Sequence, residues 1–87
     1  MAYAVTFKAS ALKQVEKLPR ATARRVMDRT TALSGNPRPA GSVKLAGGGD
    51  LWRLRVGDYR IVYLIDDAGQ KVDVRIVAHR RDVYRGL

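Results

Sequence analysis

Eighty-seven residues make one domain, residues 1–87, too short for two hydrophobic cores. Seventeen Lys+Arg against 8 Asp+Glu leave a formal charge of +9, which biases so short a chain toward polyanions: RNA, DNA, an acidic membrane surface or an acidic protein. No cysteine and a single histidine exclude a disulfide framework, a cysteine-based metal site, thiol chemistry and a histidine cluster.

Residues 2–7 read as a first strand, with Tyr3, Val5 and Phe7 alternating against Ala4 and Thr6. Ser10 reads as the cap of a short helix over 11–18, where Leu12, Val15 and Leu18 are expected to face the core. Pro19 interrupts that helix and suits the first turn of a second one, which runs to about residue 34. Ala23, Val26, Met27, Thr30 and Leu33 form its buried stripe, and Gly35 supplies the stop. Arg20, Arg24, Arg25 and Arg29 lie largely off that stripe and read as a solvated face; the functional alternative is a nonspecific contact with nucleic-acid backbone. Residues 36–41, with Pro37 and Pro39, form a loop, and 42–46 a short strand carrying Lys44. The turn Gly47-Gly48-Gly49-Asp50 has no helix after it, so its glycines do not make a phosphate-cradling loop.

Three strands follow, near 51–56, 59–66 and 70–78, with Gly57-Asp58 and Asp67-Ala68-Gly69 where hairpin turns belong. The middle one is apolar on both faces, since Ile61 and Ile65 alternate with Val62 and Leu64, and is therefore expected at the centre of the sheet. In the last, Val72, Val74 and Ile76 alternate with Lys71, Asp73 and Arg75, which predicts one wet face. The order β-α-α-β-β-β-β describes an α+β fold: a helical hairpin packed on one face of a small, mostly antiparallel sheet. No stretch approaches the roughly 18 apolar residues of a membrane span, and the N-terminus does not read as a signal peptide. The expectation is a cytoplasmic protein without a membrane partner.

The chemistry lies in the arginines. Side chains alternate along a strand, so Arg53 and Arg55 project to one side, and Arg60 opens the next strand. Helices cover one face of the sheet, and guanidiniums on the other either meet solvent or line a groove. The planar fork of arginine suits phosphate. Arg53, Arg55, Arg60 and Arg80 fall at strand positions or ends that can converge, Lys44 and Tyr84 can join them, and Arg81 and Arg85 add charge for RNA in the tail. His79, with an intrinsic pKa of about 6.5, is the candidate general base. If the last strand stays extended, however, His79 and Arg80 point to opposite faces, and a lone histidine at a strand end also reads as structural. Lys44 and Asp58 are further candidates with no better case. Trp52 lies on the face opposite Arg53 and is expected to pack under the helices, while Tyr63 reads as core or groove wall.

The pattern Lys44-Leu45, Trp52-Arg53-Leu54-Arg55, Gly57-Asp58-Tyr59-Arg60-Ile61-Val62-Tyr63 and Val77-Ala78-His79-Arg80-Arg81-Asp82-Val83-Tyr84 resembles the RelE family of bacterial toxins, within the RelE/ParE superfamily. The likeness covers nearly the whole chain. It implies the toxin of a type II toxin–antitoxin system, a ribosome-dependent endoribonuclease that enters the 30S A site against rRNA and cuts the mRNA there, without metal or cofactor. It also implies a neutralising antitoxin that carries the complex to operator DNA. The family's working residues match Arg53, Arg55, Arg60, Arg80 and Tyr84, although well-studied members carry lysines at the first pair. Arginine, with a pKa of about 12.5–13.8, is a far poorer general base than lysine. Two alternatives stand beside this reading: a ParE-like toxin of the same fold that poisons DNA gyrase, and a noncatalytic nucleic-acid-binding module.

Overall fold

A computed structural model describes residues 2–47 and 49–83. Along them run β1 (Ala4–Phe7), α1 (Ala9–Glu16), α2 (Arg20–Ala32), β2 (Val43–Lys44), β3 (Leu51–Val56), β4 (Tyr59–Asp66) and β5 (Lys71–His79). The strands form one sheet in the order β1-β5-β4-β3-β2. Three hairpin-type pairings are antiparallel, and β1 alone lies parallel to its neighbour β5. The helices pack on one face, as the hydrophobic pattern predicts.

Sequence periodicity places most of the core. In α2, Val26 and Thr30 are buried, followed by Leu33, with Ala23 and Met27 packed beside them. The buried Thr30 hydroxyl is satisfied because it donates to the Met27 carbonyl at 2.8 Å. In α1 the expectation is corrected. The helix starts at Ala9 after an uncapped Lys8, so Ser10 lies inside its first turn and is not the cap. Ala11 and Val15 are buried and Leu18 packs against the core, whereas Leu12 is 44% exposed. Spacings of four and then three residues follow a 3.6-residue turn more closely than two spacings of three, and Leu12 falls about 100° round from the true stripe.

β4 is the central strand. Ile61, Tyr63 and Ile65 join the helix-side core, and Val62 on the other face is also fully buried. The Tyr63 hydroxyl donates to the Pro37 carbonyl at 2.8 Å, which holds the loop after α2 against the sheet.

β5 departs from simple alternation. Val62 pairs with Ile76 but Tyr63 pairs with Val74, so Arg75 is an extra residue, a β-bulge. Before it, Val72 and Val74 face the helices. After it the parity reverses: Val77 enters the core and Ile76 turns to the other face. A second device supports this half of β5. β1 ends at Phe7, opposite Val74, so the Val77 N–H has no strand partner on that side. The Gln14 side chain of α1 fills the gap, its Oε1 accepting from Val77 N–H at 2.8 Å.

Candidate functional site

Residues directly opposite in an antiparallel ladder share a face. Arg53 stands opposite Val62, and Arg55 opposite Arg60, so all three arginines lie on the face away from the helices. That face is less bare than its arginine content predicts. Val62 is fully buried between its lateral neighbours Arg53 and Ile76, and Arg53 and Arg60 are themselves half-buried. The stems of long cationic side chains cover apolar surface while their heads remain accessible.

The turn between β3 and β4 holds the Arg60 guanidinium and the backbone of Arg80. Gly57 takes a φ of +58°, in the left-handed region that a two-residue hairpin turn requires. Arg60 folds back on this turn, its Nη1 donating to the Gly57 carbonyl at 3.0 Å and to its neighbour Tyr59 at 2.9 Å. Arg80 comes to the same place through its backbone, whose N–H donates to the Asp58 carbonyl at 2.8 Å. Arg55 and Arg80 are exposed and make no side-chain hydrogen bond or ion pair among the described residues. Like charges directly opposite in a ladder are destabilising. The Arg55–Arg60 pair therefore sets two like charges side by side on this face.

Other sequence candidates lie elsewhere. Lys44 pairs with Trp52, on the opposite side from Arg53, and approaches Asp50 at 3.9 Å. Because of the bulge, His79 falls opposite Tyr59, on the helix side, and the two rings meet edge-on at 5.6 Å. Its Nδ1 accepts the Arg81 N–H at 3.2 Å, so the lone pair that a neutral imidazole would use as a base is already engaged. Arg81 itself is exposed beyond β5. Asp58 supplies a backbone acceptor at the turn and no ion pair among the described residues. Tyr84 and Arg85 lie outside the described residues.

At the far end of the sheet sits a cluster that sequence reading missed. Arg38 pairs with Asp67 through two bonds of 3.1 and 2.8 Å, Tyr3 donates to the same carboxylate at 2.7 Å, and the Arg38 guanidinium lies 5.2 Å from the Trp52 ring centre. Arg38 and then Tyr3 hold the Asp67 carboxyl below its usual pKa, and the bond to Asp67 raises that of Tyr3. Trp52 packs against the core as its position predicts, and its buried Nε1 has no hydrogen-bond partner among the described residues. These contacts fasten the loop after α2 to the β4–β5 turn. With 29 residues between Arg38 and Asp67, no local pattern announces the pair.

Comparison with known proteins decides the family. The model of a family described as "ParE toxin of type II toxin-antitoxin system, parDE" matches residues 5–84. Toxin RelE of Mycobacterium tuberculosis is 32% identical over 84 residues, covering 95% of this chain and 87% of that protein. The chain belongs to the RelE/ParE superfamily of toxins. Its fold is that of RelE. The toxin in the archaeal RelE–RelB complex of Pyrococcus horikoshii superposes with a TM-score of 0.82 at 30% identity, covering 92% of this chain and 97% of that one. A substituted E. coli RelE in the free state gives 0.82 at 28% identity, covering 99% and 94%. This RelE-like toxin carries Arg55, Arg60 and Arg80 at the β3–β4 turn end of its sheet.

Proposed function

We propose that this toxin is an endoribonuclease that cuts mRNA in the ribosomal A site and so stops translation. The observation that carries the reading is the Arg55–Arg60 cross-strand pair, with Arg53 on the same face and Arg80 anchored to the adjoining turn. In the proposed reaction the RNA 2′-oxygen attacks the adjacent phosphorus and the bond to the 5′-oxygen breaks. The products are a 2′,3′-cyclic phosphate and a free 5′-hydroxyl; the proton leaves the 2′-oxygen and one returns to the 5′-oxygen. The transition state gathers negative charge on the phosphorane oxygens. Arg55 and Arg60 stabilise that charge, and Arg80 stands near the leaving oxygen. By analogy with oxyanion holes, each well-placed donor is worth about 3–4 kcal/mol. Tyr84 stacks on a base or protonates the 5′-oxygen. Arginine is a weak base and His79 lies across the sheet, so the rate rests on charge stabilisation and on the ribosome holding the mRNA in line.

The partner in this proposal is an antitoxin whose acidic or amphipathic segment covers the arginine face. RelE–RelB complexes among the relatives support it, including that of P. horikoshii and the intact E. coli RelBE complex. A gyrase-directed reading is kept because the matching family model is named for ParE. Primer extension on a translated message, after inducing the toxin without its partner, separates the two. Cleavage within codons that disappears in Arg60→Ala and Arg80→Ala supports the nuclease. Gyrase-dependent DNA breaks with intact mRNA, or full toxicity of both variants, would refute it.

A further inference from the structure

Arg25 belongs to α2, whose arginines read from sequence as a solvated face. The fold takes it from that background. A β-carbon added at Gly57 would lie 3.5 Å from Arg25 Nη1, 3.8 Å from Nη2 and 4.0 Å from Cζ. The guanidinium therefore packs beside the α-carbon of the residue whose carbonyl accepts from Arg60 Nη1 at 3.0 Å. One arginine reaches the turn from the helix side and the other from the arginine face, and they meet at a single glycine. Arg25 is exposed and has no hydrogen bond or ion pair among the described residues, its neighbour in the turn, Asp58, included. Arg25, Arg55, Arg60 and Arg80 thus gather at one end of the sheet, where Asp58 and Asp82 are the acidic residues of the adjoining turns.

We infer that Arg25 is a phosphate-binding residue of the toxin, holding an RNA backbone phosphate next to the scissile one as the strand passes around the β3–β4 turn. This rests on the nuclease reading and extends it from the sheet to α2. Because Arg25 and Arg60 touch the same residue, a strand whose scissile phosphate meets Arg60 carries a neighbouring phosphate past Arg25. The glycine is part of the arrangement: its missing side chain lets the guanidinium lie against the turn, and its φ of +58° disfavours any replacement.

The test uses purified toxin and ribosomes programmed with an mRNA in the A site, comparing wild type, Arg25→Ala and Arg25→Lys. Single-turnover cleavage is measured against toxin concentration. Binding is measured at several salt concentrations on the same complexes carrying a 2′-deoxy nucleotide at the scissile position. Arg25→Ala should raise the half-saturating concentration about tenfold, change the plateau rate far less than Arg60→Ala does, and lower the salt slope of binding by about 0.7–0.9. Arg25→Lys, which keeps the charge, should retain the slope. Active wild type with an Arg25→Ala variant of unchanged half-saturation and slope would overturn the inference alone. So would a variant weakened only toward the antitoxin, since the patch would then serve the protein partner. Wild type that leaves ribosome-bound mRNA intact would overturn the nuclease reading and the inference together.

Discussion

Gln14→Leu isolates the contact that holds the functional half of β5. Val77 is 1% exposed, and the acceptor for its N–H is a side chain from α1. Leucine fills much of the same space and keeps the helix, but leaves this N–H, beside the buried Val77 side chain, without its acceptor. An unsatisfied buried donor costs about 1–3 kcal/mol, and a domain of this size loses about 4–8 °C in melting temperature per kcal/mol. Gln14→Glu retains an accepting oxygen and should recover most of the loss. Thermal and urea melts of the free toxin measure the stability, and amide exchange at Val77 reports the bond itself. The effect should extend to function, because Arg80 is three residues further along the same strand end. A Gln14→Leu protein that melts like wild type with Val77 still protected would refute the claim that α1 completes the ladder where β1 stops.

Three further outcomes follow from the same geometry. Arg55→Thr removes a like-charge pair across the ladder and should raise stability by about 0.2–1 kcal/mol while lowering cleavage; a variant that is both less stable and fully active would show the pair to be structural. Tyr63→Phe removes the bond to Pro37 and should cost about 0.5–1.5 kcal/mol in a urea melt. The Asp67 carboxyl titrates below its unfolded value, so its contribution is present above about pH 3.9 and is lost as pH falls through the lower folded pKa. The melting temperature of wild type should accordingly fall more steeply below pH 4 than that of Asp67→Asn; parallel curves would show that the Arg38–Asp67 pair contributes no measurable stability.

Much of this protein was legible before any tertiary contact was known. Alternation in β3 placed Arg53 and Arg55 on one side, the two-faced apolar run of β4 placed it at the centre, and the stripe through Val26, Thr30 and Leu33 oriented α2. These follow from periods of 2 and 3.6 residues, which the backbone imposes locally. In α1, hydrophobicity singles out Leu12 over its small neighbour Ala11, although Ala11 holds the angular position that faces the core.

What only the folded chain decided is which side chains share the turn at Gly57. The bulge at Arg75 shifts the parity of β5, sending His79 to the helix side and leaving Arg80 beside Asp58. Arg25 arrives from a helix more than thirty residues upstream, and Gln14 supplies the acceptor that a short β1 cannot. A bulge depends on the pairing of two strands, and a reach from helix to sheet on how layers stack. Neither leaves a periodic trace in the residues themselves, so the arginines were readable as a face, while their gathering at one turn is a property of the tertiary structure.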